Sequence, residues 1–77
     1  MKTSLDHLQP GQTACICALA MPEGLRQRLL SLGLVEGAAV SCLRVSPTGS
    51  PVLYTARGML IALRRRDSRG ILVELAP

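Results

Sequence analysis

The sequence predicts a mainly β domain: a small, strongly bent barrel of about five strands with one or two short helices inserted. Three observations lead there. Short apolar or alternating runs recur between glycine and proline turns. A single amphipathic stretch around Leu25 to Gly33 interrupts them with helical spacing. The chain has 77 residues, enough for one domain spanning 1–77, and a domain of that size buries about 60% of the surface its unfolded chain exposes. Closing the strands into a barrel protects edges that so short a chain has little else to cover with. Phe and Trp are absent and Tyr54 is the sole aromatic, so aliphatic side chains and cysteine must fill the core.

Thr3 or Ser4 starts a short helical turn carrying Leu5 and Leu8, and Pro10-Gly11 has the residue order of a type II turn. Thr13 to Leu19 forms the first strand, with Cys15, Cys17 and Leu19 on one face and Ala14, Ile16 and Ala18 on the other. In the helix, Leu25, Leu29 and Leu32 fall at i, i+4 and i+7 and make a packing stripe. Pro22 suits its first turn and Glu23 suits the positive end of its dipole, whereas Met21 offers no capping oxygen. Gly33 stops the helix, and Leu34 then lies where it contacts Leu29. Gly37 precedes a second strand, Ala38 to Val45. The turn Pro47-Thr48-Gly49-Ser50-Pro51 joins it to a third, Val52 to Ala56. Gly58 marks a bulge or bend before Met59 to Leu63. Arg64 to Gly70 reads as a polar helical turn, Ile71 to Leu75 as the last strand, and Pro77 as its end.

Nine Lys and Arg against five Asp and Glu give a formal charge of +4. The excess is local, concentrated in Arg64, Arg65, Arg66 and Arg69. Such a cluster suits an acidic protein surface, anionic lipid or phosphate, and equally a solvated face with no partner. No apolar run approaches the roughly 20 residues that span a bilayer, and the first residues lack a secretory apolar stretch. The expectation is a cytoplasmic protein that is not membrane-inserted. Three cysteines form an odd number for a disulfide framework and fit reduced thiols.

The order of signals resembles the FeoA family of ferrous iron transport accessory proteins. The residues that carry it are Leu5-x-x-Leu8-x-x-Gly11, Leu25-x-x-Arg28-Leu29-x-x-Leu32-Gly33-Leu34-x-x-Gly37, Pro47-x-Gly49-x-Pro51, Ile61-Ala62-Leu63-Arg64 and Ile71-x-Val73. They cover nearly the whole chain, although no one of them is specific alone. The resemblance implies an SH3-like barrel at the inner face of the membrane, beside a FeoB permease whose cytosolic part carries a GTPase domain. It equally implies kinship with the C-terminal domains of iron- and manganese-dependent repressors, but no DNA-binding helical domain precedes the barrel here. One departure stands out: the family's turn often reads Gly-Asp-Pro, where this chain has Gly49-Ser50-Pro51, which leaves open any contact that needs the carboxylate.

Chemistry finds little support in the residues. Cys15 and Cys17 point to one face of a strand and Cys42 on the next strand could approach them, yet a metal site wants three or four placed ligands and the one histidine, His7, is not near by spacing. Reduced cysteine is more often a small buried residue. No nucleophile, base and orienting group come together and no phosphate loop is present, so the expectation is no enzyme, no cofactor and no GTP site of its own. A basic barrel that binds nucleic acid, or a metal-responsive regulatory module, is the alternative; single-strand binders use several aromatic platforms and this chain has one tyrosine. Two surfaces suit a protein partner. One is an SH3-type groove bordered by Tyr54, Met59 and the Pro47 to Pro51 turn. The other is the helix face with Met21, Leu25, Arg26 and Arg28, with the patch Arg64, Arg65 and Arg66 steering an acidic surface toward the domain. For Met21, Leu25 and Met59, core packing is the competing role. Association of the chain with itself stays open.

Overall fold

The computed structural model describes residues 1–76; Pro77, read above as the end of the last strand, lies outside the described residues. Six strands form one antiparallel sheet in the order β1-β6-β2-β3-β4-β5. They are β1 (Lys2–Ser4), β2 (Thr13–Leu19), β3 (Ala39–Val45), β4 (Val52–Ala56), β5 (Met59–Leu63) and β6 (Ile71–Leu75). A 3-10 turn, Leu5–His7, follows β1, the helix α1 (Glu23–Ser31) connects β2 to β3, and the four-residue α2 (Arg65–Ser68) connects β5 to β6. The strand count exceeds the sequence expectation by one. Lys2–Ser4 is a strand rather than the start of a helical turn because its backbone is captured by β6, Thr3 opposite Val73 and Ser4 opposite Leu72. The helical turn then begins at Leu5.

One face of this sheet carries the core. Cross-strand partners share a face, and the buried residues run in such pairs around the sheet: Ile16 with Val73, Ala14 with Val40, Cys42 with Tyr54, Tyr54 with Ile61, and Val52 with Leu63. Leu5 and Leu8 close one side, and Leu29 and Leu34 from α1 and its exit close another. A single inner face filled from five of the strands requires a strongly curved sheet, and two register shifts supply bends: between Ile16 and Ala18 in β2, and between Cys42 and Arg44 in β3. The first shift corrects the expected face assignment. Past Cys17, Leu19 pairs with the buried Ile71 and Ala18 pairs with the exposed Leu72, so the parity of the strand reverses.

The sole aromatic sits at the centre. Tyr54 is 1% exposed and its hydroxyl donates to the Leu5 carbonyl at 3.3 Å, joining β4 to the 3-10 turn. This corrects the expected groove, since a ring used to fill an aliphatic core cannot line a surface. Burial pushes the phenol above its ordinary value, against a smaller lowering by a hydrogen bond with Ser68. Below pH about 10 the phenol is protonated both folded and unfolded; above it the unfolded chain releases its proton first, and stability falls.

Helix α1 stops as its sequence indicates. Gly33 has φ +93°, its N–H donates to Leu30 O at 3.0 Å, and the Leu34 N–H reaches back to Leu29 O at 3.1 Å, the double bond of a Schellman stop. Its start differs in detail: Pro22 is the capping residue and Glu23 the first helical one. The Pro22 carbonyl accepts from Arg26 N–H at 3.0 Å, so the missing proline N–H costs nothing there. The β4–β5 connection is a two-residue turn rather than a bulge. Arg57 and Gly58 both have positive φ, +54° and +78°, and Ala56 pairs directly with Met59, the geometry of a type I′ hairpin.

Two substitutions check this account. Gly33→Ala puts a Cβ in the left-handed region and 2.8 Å from the Arg57 side chain, and we expect a loss of about 1 kcal/mol or more in urea unfolding. Tyr54→Phe should cost about 0.5–1.5 kcal/mol at neutral pH and flatten the decline in stability above pH 10, read from urea melts across the alkaline range.

A candidate partner-binding cleft beside an arginine cluster

The arginines close in sequence do different work. Arg65, half-buried at the start of α2, turns inward. Its Nε donates to Gly49 O at 2.7 Å and its Nη1 to Asp6 O at 2.8 Å. Its backbone N–H donates to Ser50 Oγ at 3.2 Å. One side chain therefore ties α2 to the β3–β4 loop and to the 3-10 turn. Arg65, expected to help steer a partner, thus also braces the fold through its Nε and Nη1. The same arrangement answers the serine departure: Ser50 uses its hydroxyl to hold the first residue of α2. Arg69 lies 3.8 Å from Asp6 and Arg66 lies 3.9 Å from Asp67. Both are loose contacts in which the arginine is exposed, so they are worth little, although the Asp6 side chain is nearly buried.

Arg64 and Arg28 are exposed, and neither has a carboxylate partner among the described residues. They face one cleft of about 360 Å³ between α1 and the end of β5, lined by Leu25, Arg28, Ala62, Leu63, Arg64, Arg66 and Asp67. Of the eight residues expected at a partner surface, the structure brings Leu25, Arg28 and Arg64 together here. Leu25 is half-buried and leans on the core, as does Met21. Arg26 stands apart, 3.6 Å from Glu23 on the open face of the helix. Met59 is 42% exposed at the other end of β5. Sequence spacing missed Ala62, while Arg66 was read as part of the arginine cluster; the alternation of β5, with Ile61 and Leu63 inward, was the available sign that Ala62 faces out.

The cysteines do not converge. Val40 and Cys42 share the core face with Ala14, while Cys15 pairs with Ala39 on the outside, so Cys42 is buried and Cys15 exposed. The expected approach of Cys42 to the other two fails on this register. Burial pushes the Cys42 thiol up, partly opposed by Arg65, which keeps it protonated and unreactive. No group of three metal-ligating side chains occurs among the described residues, and no helix there is long and apolar enough to cross a membrane.

A family model described as the FeoA domain matches residues 3–75. The chain belongs to the FeoA domain family. A solution structure of the FeoA protein from Chlorobium tepidum is 36% identical with a TM-score of 0.93, over 97% of this chain and 71% of that one. FeoA from Stenotrophomonas maltophilia, crystallised with zinc and described as a prokaryotic SH3 domain protein, is 24% identical with a TM-score of 0.82, over 94% of this chain and 89% of that one. At that identity the likeness concerns the fold, which is SH3-like here too. A curated relative from Porphyromonas gingivalis, a fusion of Fe(2+) transport protein A with the Fe(2+) transporter FeoB, is 32% identical over 71 residues. Those residues are 92% of this chain, but the chain spans only 8% of that relative's length.

The two kinds of arginine should separate in stability. Arg65→Met should cost about 1.5–3 kcal/mol, since it unties charged hydrogen bonds to two segments. Arg64→Ala and Arg66→Ala should each stay within about 0.5 kcal/mol of the parent in chemical unfolding.

Proposed function

We propose that this protein is a non-catalytic cytoplasmic accessory component of ferrous iron uptake that docks on the cytosolic part of a FeoB-like permease through the cleft between α1 and β5. The observation that carries the reading is the relative in which the two proteins are one polypeptide. Covalent joining holds two parts at high effective concentration and is useful where they work on each other. The cleft suits such a role: it is lined by Leu25 and Ala62 together with the guanidinium groups of Arg28, Arg64 and Arg66, so a partner meets apolar and donor groups side by side. Arg favours interfaces because its fixed fork of donors meets carboxylates with little loss of freedom.

Docking changes the permease only if this domain binds one of its states better than another. A preference of about 1.4 kcal/mol shifts the ratio of two states tenfold, which a few contacts to a cleft of this kind supply. The domain then acts as a ligand of the GTPase or pore, and the nucleotide chemistry belongs to the partner.

The test is capture of the cognate permease from detergent-solubilised membranes by the purified, tagged domain, with GTP turnover followed in the same sample. We expect capture that depends on nucleotide state and an association rate that falls as salt rises. Arg28→Glu with Arg64→Glu should slow association about tenfold or more while the protein stays folded. No capture in any nucleotide state, with tight binding of single-stranded DNA instead, would sink the reading.

A further inference from the structure

We infer that the outer edge of β5 is a strand-addition site, and that its occupant is an extended polypeptide segment with an apolar middle and a carboxylate at each end. The hydrogen-bond parity of β5 follows from its turn. In a two-residue hairpin the flanking residues, here Ala56 and Met59, form a hydrogen-bonded pair, and bonded pairs then alternate. Ile61 therefore bonds Tyr54 and Leu63 bonds Val52, while Leu60 and Ala62 face Thr55 and Leu53 as unbonded pairs. The N–H and C=O of Leu60 and Ala62 point away from β4, and β5 is the last strand of the sheet. No other backbone group bonds them among the described residues.

Natural edges are blunted with charge, proline or a bulge. The segment Met59-Leu60-Ile61-Ala62-Leu63 contains none of these, its register with β4 is unbroken, and Leu60 is 63% exposed. The edge also has a cleft beside it: Ala62 and Leu63 form one wall of the groove whose other wall is Leu25 and Arg28 of α1. Basic residues flank both ends, Arg57 before β5, its side chain lying against Gly33 at the exit of α1, and Arg64 after it. A second copy added antiparallel with Leu60 opposite Ala62 would set Arg64 of each chain opposite Gly58 of the other, next to Arg57, and the like charges gathered at both ends of the ladder repel. A segment ending in carboxylates meets the same two positions favourably. In naming part of a permease as this segment the inference rests on the accessory reading, but the edge itself is testable without the permease.

The probe is an acetylated, amidated peptide Asp-Thr-Val-Thr-Val-Thr-Glu, with a control carrying Lys at both ends, titrated into the isotope-labelled protein. Binding by the acidic peptide should slow amide hydrogen exchange at Leu60 and Ala62, and the Lys-ended peptide should bind about tenfold or more weakly. Ala62→Pro removes an N–H that makes no bond within the fold and should abolish the protection while the spectrum stays dispersed. If that variant does not fold, exchange in the parent protein with and without peptide still decides. Unchanged exchange at both amides, or protection without peptide that grows with protein concentration, overturns the proposal, the latter by assigning the edge to a second copy. The same exchange measured on the complex with the permease separates the two readings: capture with Leu60 and Ala62 unprotected removes strand addition and leaves the accessory role, while protection by peptide without capture does the reverse.

Discussion

Everything in this domain follows from having one sheet with one inner face and almost no aromatic side chains to fill it. Aliphatic residues fill volume in small steps, so the sheet has to bend tightly for its facing strands to meet. The irregularities at Cys17 and Leu43 do the bending. The single ring of Tyr54 then occupies the middle, and its hydroxyl needs a partner there, which the Leu5 carbonyl supplies. Helix α1 fills what remains with Leu29 and with Leu34 beyond its stop. The helix approaches the sheet beside its last strand, and the cleft is the space left between them.

The charge pattern shows how a short run of like residues divides its labour. Arg64, Arg65 and Arg66 are neighbours in sequence, yet Arg65 turns inward to brace two loops while Arg64 stays free at the mouth of the cleft. The bracing matters for the site because α2 begins where β5 ends. Holding α2 against the β3–β4 loop and the 3-10 turn fixes the position of the chain just beyond Leu63, and with it the direction in which the Arg64 side chain leaves the surface.

Much of the architecture was legible from local pattern. The Gly33 stop, the Pro10-Gly11 turn, the hairpin across Pro47 to Pro51 and the strands that follow it all appear where turn chemistry and alternation place them. The misses are those that depend on distant partners. Lys2–Ser4 is polar and three residues long, and only β6 makes it a strand. Cys42 and Cys15 are sorted to opposite faces by a register that neither strand encodes alone. Tyr54 looks amphipathic in sequence, and its burial is decided by the absence of any other large side chain for the centre. The site was half visible: Leu25, Arg28 and Arg64 were recognisable as exposed or interfacial types, but nothing local to them says that α1 and the end of β5 lie side by side.

The Arg57-Gly58 turn has a consequence for how this fold tolerates change. Its two residues set which side chains of β5 enter the core and which backbone groups face outward, so adding or removing a single residue there would exchange the two sets and evert Ile61 and Leu63. The connection from Val45 to Val52 is under no such arithmetic, since its strands are already committed by the pairs on either side. The β4–β5 turn is expected to keep its two-residue length among related chains, with Gly, Asn and Asp favoured at its two left-handed positions.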